Sequence, residues 1–154
     1  PRKYSLDDVI DFNAPCDGNE KKERLLALLP DQHREKMMAA IQDGRKVFPG
    51  YKRIRNGRQV LELRFDGVAG CLSTPEGGSS RQFLVIKDNG SLKTRLLTVQ
   101  EAAALMGAPQ NYNLPGGYND GYKAMGDAVA VPVTRYLAEK LLSPLAEVIQ
   151  GRGY

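Results

Sequence analysis

The chain has 154 residues, 42% of them hydrophobic, and a formal net charge of +4, which suits one ordinary domain or two small ones with a modest core. No run of about 18 apolar residues is present, and the start Pro1-Arg2-Lys3 leads into Ser5-Leu6-Asp7-Asp8 rather than an apolar signal region, so the expectation is a cytoplasmic protein with no membrane segment. Two cysteines, Cys16 and Cys71, and one histidine, His33, are too few for a disulfide framework or an ordinary zinc site, and no metal is expected.

The N-terminal portion reads as helical. Ser5 and Asp8 stand at cap spacing, and residues 21–29 and 32–41 carry Leu25, Leu28, Leu29, Met37, Met38 and Ile41 at helical intervals, punctuated by Pro30 and Gly44. These stripes read as core rather than as a cofactor pocket. From Val47 the pattern changes. Residues 51–55, the pair Asn56-Gly57, and residues 58–65, where Leu61, Leu63 and Phe65 alternate with Glu62 and Arg64, are the signature of a hairpin with a primed turn. Residues 83–86 form a further short strand that ends at a second turn signal, Asp88-Asn89-Gly90.

Thr98 and Glu101 stand at capping-box spacing ahead of an Ala-rich helix, with Gly107 as its stop and Pro109 just beyond. Residues 111–121 read as a loop. Val129, Val133, Tyr136, Leu137, Lys140 and Leu141 then describe one face of a final helix, with Pro132 near its start. Charge is uneven along this layout: residues 49–95 hold nine Lys and Arg against four Asp and Glu, a local excess of +5 that leaves the rest at −1. Such a segment fits a solvated charged hairpin or a surface that contacts phosphates and releases their counterions.

Three blocks carry more specific information. The first is Gly70-Cys71-Leu72-Ser73-Thr74-Pro75-Glu76-Gly77-Gly78-Ser79-Ser80-Arg81-Gln82; its glycines permit close backbone approach, and its Arg and Gln can bond a guanine or adenine bidentately. The bland alternative is a Gly-Gly turn in a small sheet. The second is Arg95-Leu96-Leu97-Thr98-Val99-Gln100-Glu101-Ala102-Ala103-Ala104-Leu105-Met106-Gly107-Ala108-Pro109-Gln110-Asn111-Tyr112, and the third is Tyr122-Lys123-Ala124-Met125-Gly126-Asp127-Ala128-Val129-Ala130-Val131-Pro132-Val133.

Together these blocks resemble the C-terminal motifs of DNA (cytosine-5) methyltransferases, with Cys71 in place of the usual Thr and Asp127 in place of the usual Asn. The resemblance implies an α+β fold: a helical N-terminal portion, a small antiparallel recognition sheet, and C-terminal helices that complete a Rossmann-like methyltransferase domain. It implies residues 1–94 as the target-recognition, DNA-binding region and residues 95–154 as the segment that returns to the catalytic domain. The partner implied is double-stranded DNA, with Arg53, Arg55, Gly77, Gly78, Ser79, Ser80, Arg81, Gln82 and Arg95 as candidate contacts, Arg95 bonding a phosphate or bracing the helix.

The cofactor implied for the complete enzyme is S-adenosylmethionine, bound weakly or not at all by this chain alone. Asp127, Ala128 and Val129 are the candidates for it, on the expectation that a helix N-terminus there offers backbone donors to the cofactor's carboxylate; a plain Asp cap is the alternative. The family's Phe-x-Gly-x-Gly loop, Pro-Cys-Gln nucleophile and Glu-Asn-Val acid occur nowhere in residues 1–154, and Ala14-Pro15-Cys16-Asp17 lacks the Gln. No catalytic residue is therefore assigned, and the missing catalytic half is expected in cis or on a partner chain. A start at Pro1 without Met favours a piece of a longer enzyme, against the non-catalytic subunit of a split methyltransferase or a stand-alone DNA-binding or regulatory module.

Overall fold

Residues 4–73, 81–109, 111–114 and 116–151 are described in the computed structural model of the chain. After a 3-10 turn at Leu6–Asp8 come helices α1 (Asn19–Leu26) and α2 (Asp31–Gln42), strands β1 (Val47–Arg55), β2 (Arg58–Leu63), β3 (Phe83–Asp88) and β4 (Ser91–Leu96), and helices α3 (Val99–Leu105), α4 (Tyr118–Asp127) and α5 (Val131–Leu137). A π-helical turn (Ala138–Leu142) joins α5 to α6 (Ser143–Gly151). The fold is mixed, as expected, with a four-stranded antiparallel sheet in the order β2-β1-β3-β4.

Both predicted turns form. Asn56 and Gly57 have φ of 50° and 75°, and Asn89 and Gly90 have 42° and 83°, the paired positive values of a type I′ turn, which Asn-Gly adopts at low cost. β1 is longer than its sequence pattern indicated. Its first four residues pair with β3 and its last six with β2, Gly50 belonging to both sets. A Cβ on Gly50 would fall 2.6 Å from the Glu62 carbonyl oxygen, so the crossover point has room only for glycine.

Side chains alternate across the sheet. Val47, Leu84 and Ile86 share one core with Leu6, Ile10, Leu97, Val99, Ala102, Tyr122 and Met125, so α3 and α4 cover that face. Phe48, Val85, Leu61 and Leu63 face the other way, onto Leu25, Leu26, Leu29 and Met37 of the N-terminal helices. The N-terminal portion also closes both edges, which would otherwise expose unpaired backbone groups. On β2, Leu61 N donates to Leu28 O and Leu63 N to His33 Nδ1; on β4, Thr94 O accepts from Asp17 N. His33 is half-buried in this role, with its ring 5.5 Å from that of Phe65.

The predicted capping box and helix stop bound α3. Glu101 N donates to Thr98 Oγ1 at 3.1 Å, and Thr98 N to Glu101 Oε2 at 2.8 Å. At the other end Gly107, at φ 78°, lets its own N–H reach Ala104 O and that of Ala108 reach Ala103 O, a Schellman motif. Three readings change. Ser5 N does bond Asp8 Oδ2 at 2.7 Å, but the pair closes only a single 3-10 turn. The stretch read as a loop over residues 111–121 already enters α4 at Tyr118, because Tyr118, Gly121, Tyr122 and Met125 bring an apolar stripe onto the sheet. The final helix starts at Val131 rather than at Val129 and is not uniform: Pro144 cannot donate to Lys140 O, and the turn before it widens so that Ser143 N reaches Ala138 O. No residue of α5, the π turn or α6 is buried.

Candidate nucleic-acid interface

Beyond Lys52, the tip of the β1 and β2 hairpin leaves the cover of the helices. Arg53, Ile54 and Arg55 are exposed, as are Arg58 and Gln59 across the turn. Within the basic segment, four of the nine cations are neutralised by an acid: Arg55 by Glu62, Arg64 by Asp66, Lys93 by Asp88 and Arg95 by Glu101. Lys52, Arg53, Arg58, Arg81 and Lys87 have no acidic partner among the described residues; Lys87 donates to Gly90 O at the far turn. Lys52 lies 4.9 Å over the Phe83 ring and Arg53 4.9 Å over the Tyr51 ring, contacts that orient a cation without cancelling its charge.

A polar cleft of about 460 Å³ opens beside these residues, lined by His33, Tyr51, Arg53, Glu62, Arg64 and Ser73. Burial pushes the Tyr51 phenol up, so it stays protonated and donates to Cys71 O. The cleft borders the start of the recognition block. Toward the other end of the block, the Arg81 guanidinium bonds Asn119 Oδ1 and sits 5.6 Å from the Tyr118 ring, on the first turn of α4. Tyr118 itself is pushed up to about 12 by burial.

The sequence candidates thus separate by surroundings. Arg53 lines the cleft and Arg81 stands against α4, and neither has an acidic partner among the described residues. Arg55 is exposed but held bidentately by Glu62, at 2.6 and 2.9 Å. Gln82 is 0% exposed and accepts from Gly70 N through Oε1, so its side chain faces inward rather than toward a base. Of the two roles open to Arg95, the geometry selects bracing: it bonds both Glu101 oxygens, at 2.6 and 2.7 Å, and Asp11 O at 2.9 Å. Gly77, Gly78, Ser79 and Ser80 lie outside the described residues.

Glu101 does more than the cap that its spacing from Thr98 indicated. Besides capping α3, it takes Arg95 and accepts from Asp11 N at 2.8 Å, so one carboxylate ties the N-terminal segment, β4 and α3 together. Burial alone would raise its carboxyl, but the bonds from Arg95 and from the Thr98 and Asp11 amides outweigh that and hold it below the ordinary carboxylate range.

The expected helix N-terminus at Asp127 is corrected. Asp127 is the last residue of α4, Ala128 turns out with extended geometry, and α5 follows the non-capping Ala130. The dipole end at Asp127 is therefore negative, and with the carboxylate it favours a cation rather than an anion. Val129 is exposed. Among the described residues there is no cluster of His, Cys, Asp or Glu fit to hold a metal ion, and no helix long and apolar enough to cross a membrane.

A family model described as C-5 cytosine-specific DNA methylase matches residues 11–143. The chain is 51% identical over 47 residues to the DNA (cytosine-5)-methyltransferase CMT2 of Oryza sativa subsp. japonica, which is 30% of this chain and 4% of that protein. It is 39% identical over 62 residues to the type II methyltransferase M.SsoII of Shigella sonnei, covering 40% of this chain and 16% of the relative. Against the type II methyltransferase M.MspI of Moraxella sp the identity is 38% over 65 residues, covering 42% and 15%. The matched stretches are thus a small part of each of these relatives. No solved structure matches the chain.

Proposed function

The chain belongs to the C-5 cytosine-specific DNA methylase family, and we propose that it is the C-terminal, DNA-recognising part of an enzyme that moves a methyl group from S-adenosylmethionine to carbon 5 of cytosine in double-stranded DNA. The observation that carries the reading is the segregation of charge. The buried Arg95 is cancelled by Glu101, whereas Arg53, which lines the cleft at the start of the recognition block, its strand neighbour Lys52, and Arg81 at the block's other end have no acidic partner among the described residues. Uncancelled cations are what attract phosphates, and an Arg held by its neighbours is what reads a base edge.

In this reading residues 1–94 are the recognition region and residues 95–154 lead back to a Rossmann-like catalytic domain, supplied in cis or by a partner chain. The exposed Val133, Leu137, Leu141, Leu145 and Val148 support it, since an apolar helix with no buried residue of its own needs a surface to cover it. S-adenosylmethionine, the methyl donor, carries an ammonium and a sulfonium as well as a carboxylate. Asp127 at the negative end of α4 fits the cationic groups and would oppose the carboxylate, with Ala128 and Val129 at its border.

Methyl transfer to duplex DNA tests the division of labour. The isolated 154 residues transfer none, because the attack on cytosine needs a thiolate and no Pro-Cys-Gln context is present; adding the half that carries it gives activity. Methylation by the isolated chain that disappears in Cys16→Ser would put the nucleophile here and overturn the proposal.

A further inference from the structure

The chain leaves the sheet at Leu63 and re-enters it at Phe83, and the recognition block between them is tied at both flanks by side chains. On the outgoing flank, Tyr51 donates its hydroxyl to Cys71 O and Gly70 N donates to Gln82 Oε1. On the returning flank, Gln82 N donates to the Tyr122 hydroxyl oxygen at 3.1 Å. The ties are close: a Cβ on Gly70 would fall 2.8 Å from Gln82 Oε1 and 2.9 Å from the Tyr51 oxygen. Tyr122 is 1% exposed and stacks on Tyr118 at 5.7 Å, so its hydroxyl approaches Gln82 from a packed helix. That same helix presents Asn119 to Arg81.

We propose that Tyr122 and Gln82 are positioning residues for DNA sequence discrimination. Without touching DNA, they fix the two ends of the recognition block to each other and to α4, and so set where Arg81 stands. The proposal rests on the DNA-recognition reading above. Its physical basis is a difference in tolerance. A bidentate hydrogen bond to a base edge is lost when the donor drifts by a fraction of an ångström or tilts, whereas attraction to phosphates falls off only slowly with distance. Loosening the ties should therefore blur sequence preference and leave sequence-independent binding intact.

The test is selection of duplexes from a pool randomised at its central positions by the full-length protein, as wild type, Tyr122→Phe, Gln82→Met and Asn119→Ala, with melting temperatures and affinity for an unrelated homopolymer duplex measured alongside. Tyr122→Phe removes one oxygen and keeps the ring in the core. Gln82→Met keeps the length while removing the acceptor and an amide nitrogen that has no partner among the described residues. Asn119 is exposed, so its variant keeps the fold even if the others do not.

Tyr122→Phe and Gln82→Met are each expected to reduce preference by about tenfold, the worth of one net hydrogen bond, at several positions together, with homopolymer affinity within about twofold of wild type. Asn119→Ala relaxes only the position that Arg81 reads. A loss confined to one position in Gln82→Met, with Tyr122→Phe unchanged, makes Gln82 a base reader and overturns the proposal. Unchanged preference in the folded variants, with or without a lower melting temperature, leaves these ties merely structural and overturns it too. A wild-type protein that enriches no sequence fails the DNA-recognition reading itself.

Discussion

Arg95 and Arg53 are the same side chain on two strands of one sheet, in opposite circumstances. Arg95 is enclosed, its side chain 4% exposed, with its charge returned by Glu101. Arg53 is exposed, oriented by the Tyr51 ring and opposed by no acid among the described residues. The backbone causes the difference: β4 runs directly into the Thr98 cap, which draws Glu101 back over the strand, whereas β1 beyond Lys52 runs out from under the helices. A basic segment counted in sequence therefore contains cations in opposite circumstances, enclosed in an ion pair like Arg95 or exposed without an acidic partner like Arg53.

The largest expected effect comes from breaking the enclosed pair. Arg95→Ala leaves a buried carboxylate without its partner and should cost about 3–5 kcal/mol in urea unfolding; a loss within about 1 kcal/mol, as for a solvated pair, would erase the contrast with Arg53. A second expectation concerns acid. Because Glu101 is held below its ordinary value of 4.5 in the folded chain, its contribution is complete above that value and is lost as pH falls through the lower, folded one. Melting curves taken toward acid pH should show this decline in the wild type and a shallower one in Arg95→Ala. The smallest effect sharpens the comparison from the other side. Arg55→Ala breaks an exposed pair with Glu62 and should change stability by no more than about 1 kcal/mol, and in DNA titrations it should weaken binding less than Arg53→Ala does.

Local chemistry was legible in the sequence where one short-range rule decides the outcome. The two Asn-Gly pairs specified their turns, Thr98 and Glu101 their cap, and Gly107 its stop. α4 was masked by Gly, Asn and Asp, residues of low helix propensity; its signal lay in the spacing of Tyr118, Gly121, Tyr122 and Met125, which packing on the sheet makes decisive. The enclosed role of Arg95 was open because Glu101 had already been accounted for as a cap, and nothing local indicates that one carboxylate serves both. The inward turn of Gln82 depends on Gly70 and Tyr122, 12 and 40 residues away, and no periodicity reports contacts of that range.

Binding of duplex DNA across a salt series, by the wild-type chain and by Lys52→Ala, Arg53→Ala, Arg81→Ala and Arg95→Ala, tests the central claim most directly. The account predicts that affinity falls steeply with salt, that each of the first three substitutions makes the logarithmic slope shallower by about 0.9, and that Arg95→Ala, measured where it remains folded, leaves the slope as it was. Salt-independent binding, or a slope reduced as much by Arg95→Ala as by Arg53→Ala, would contradict it.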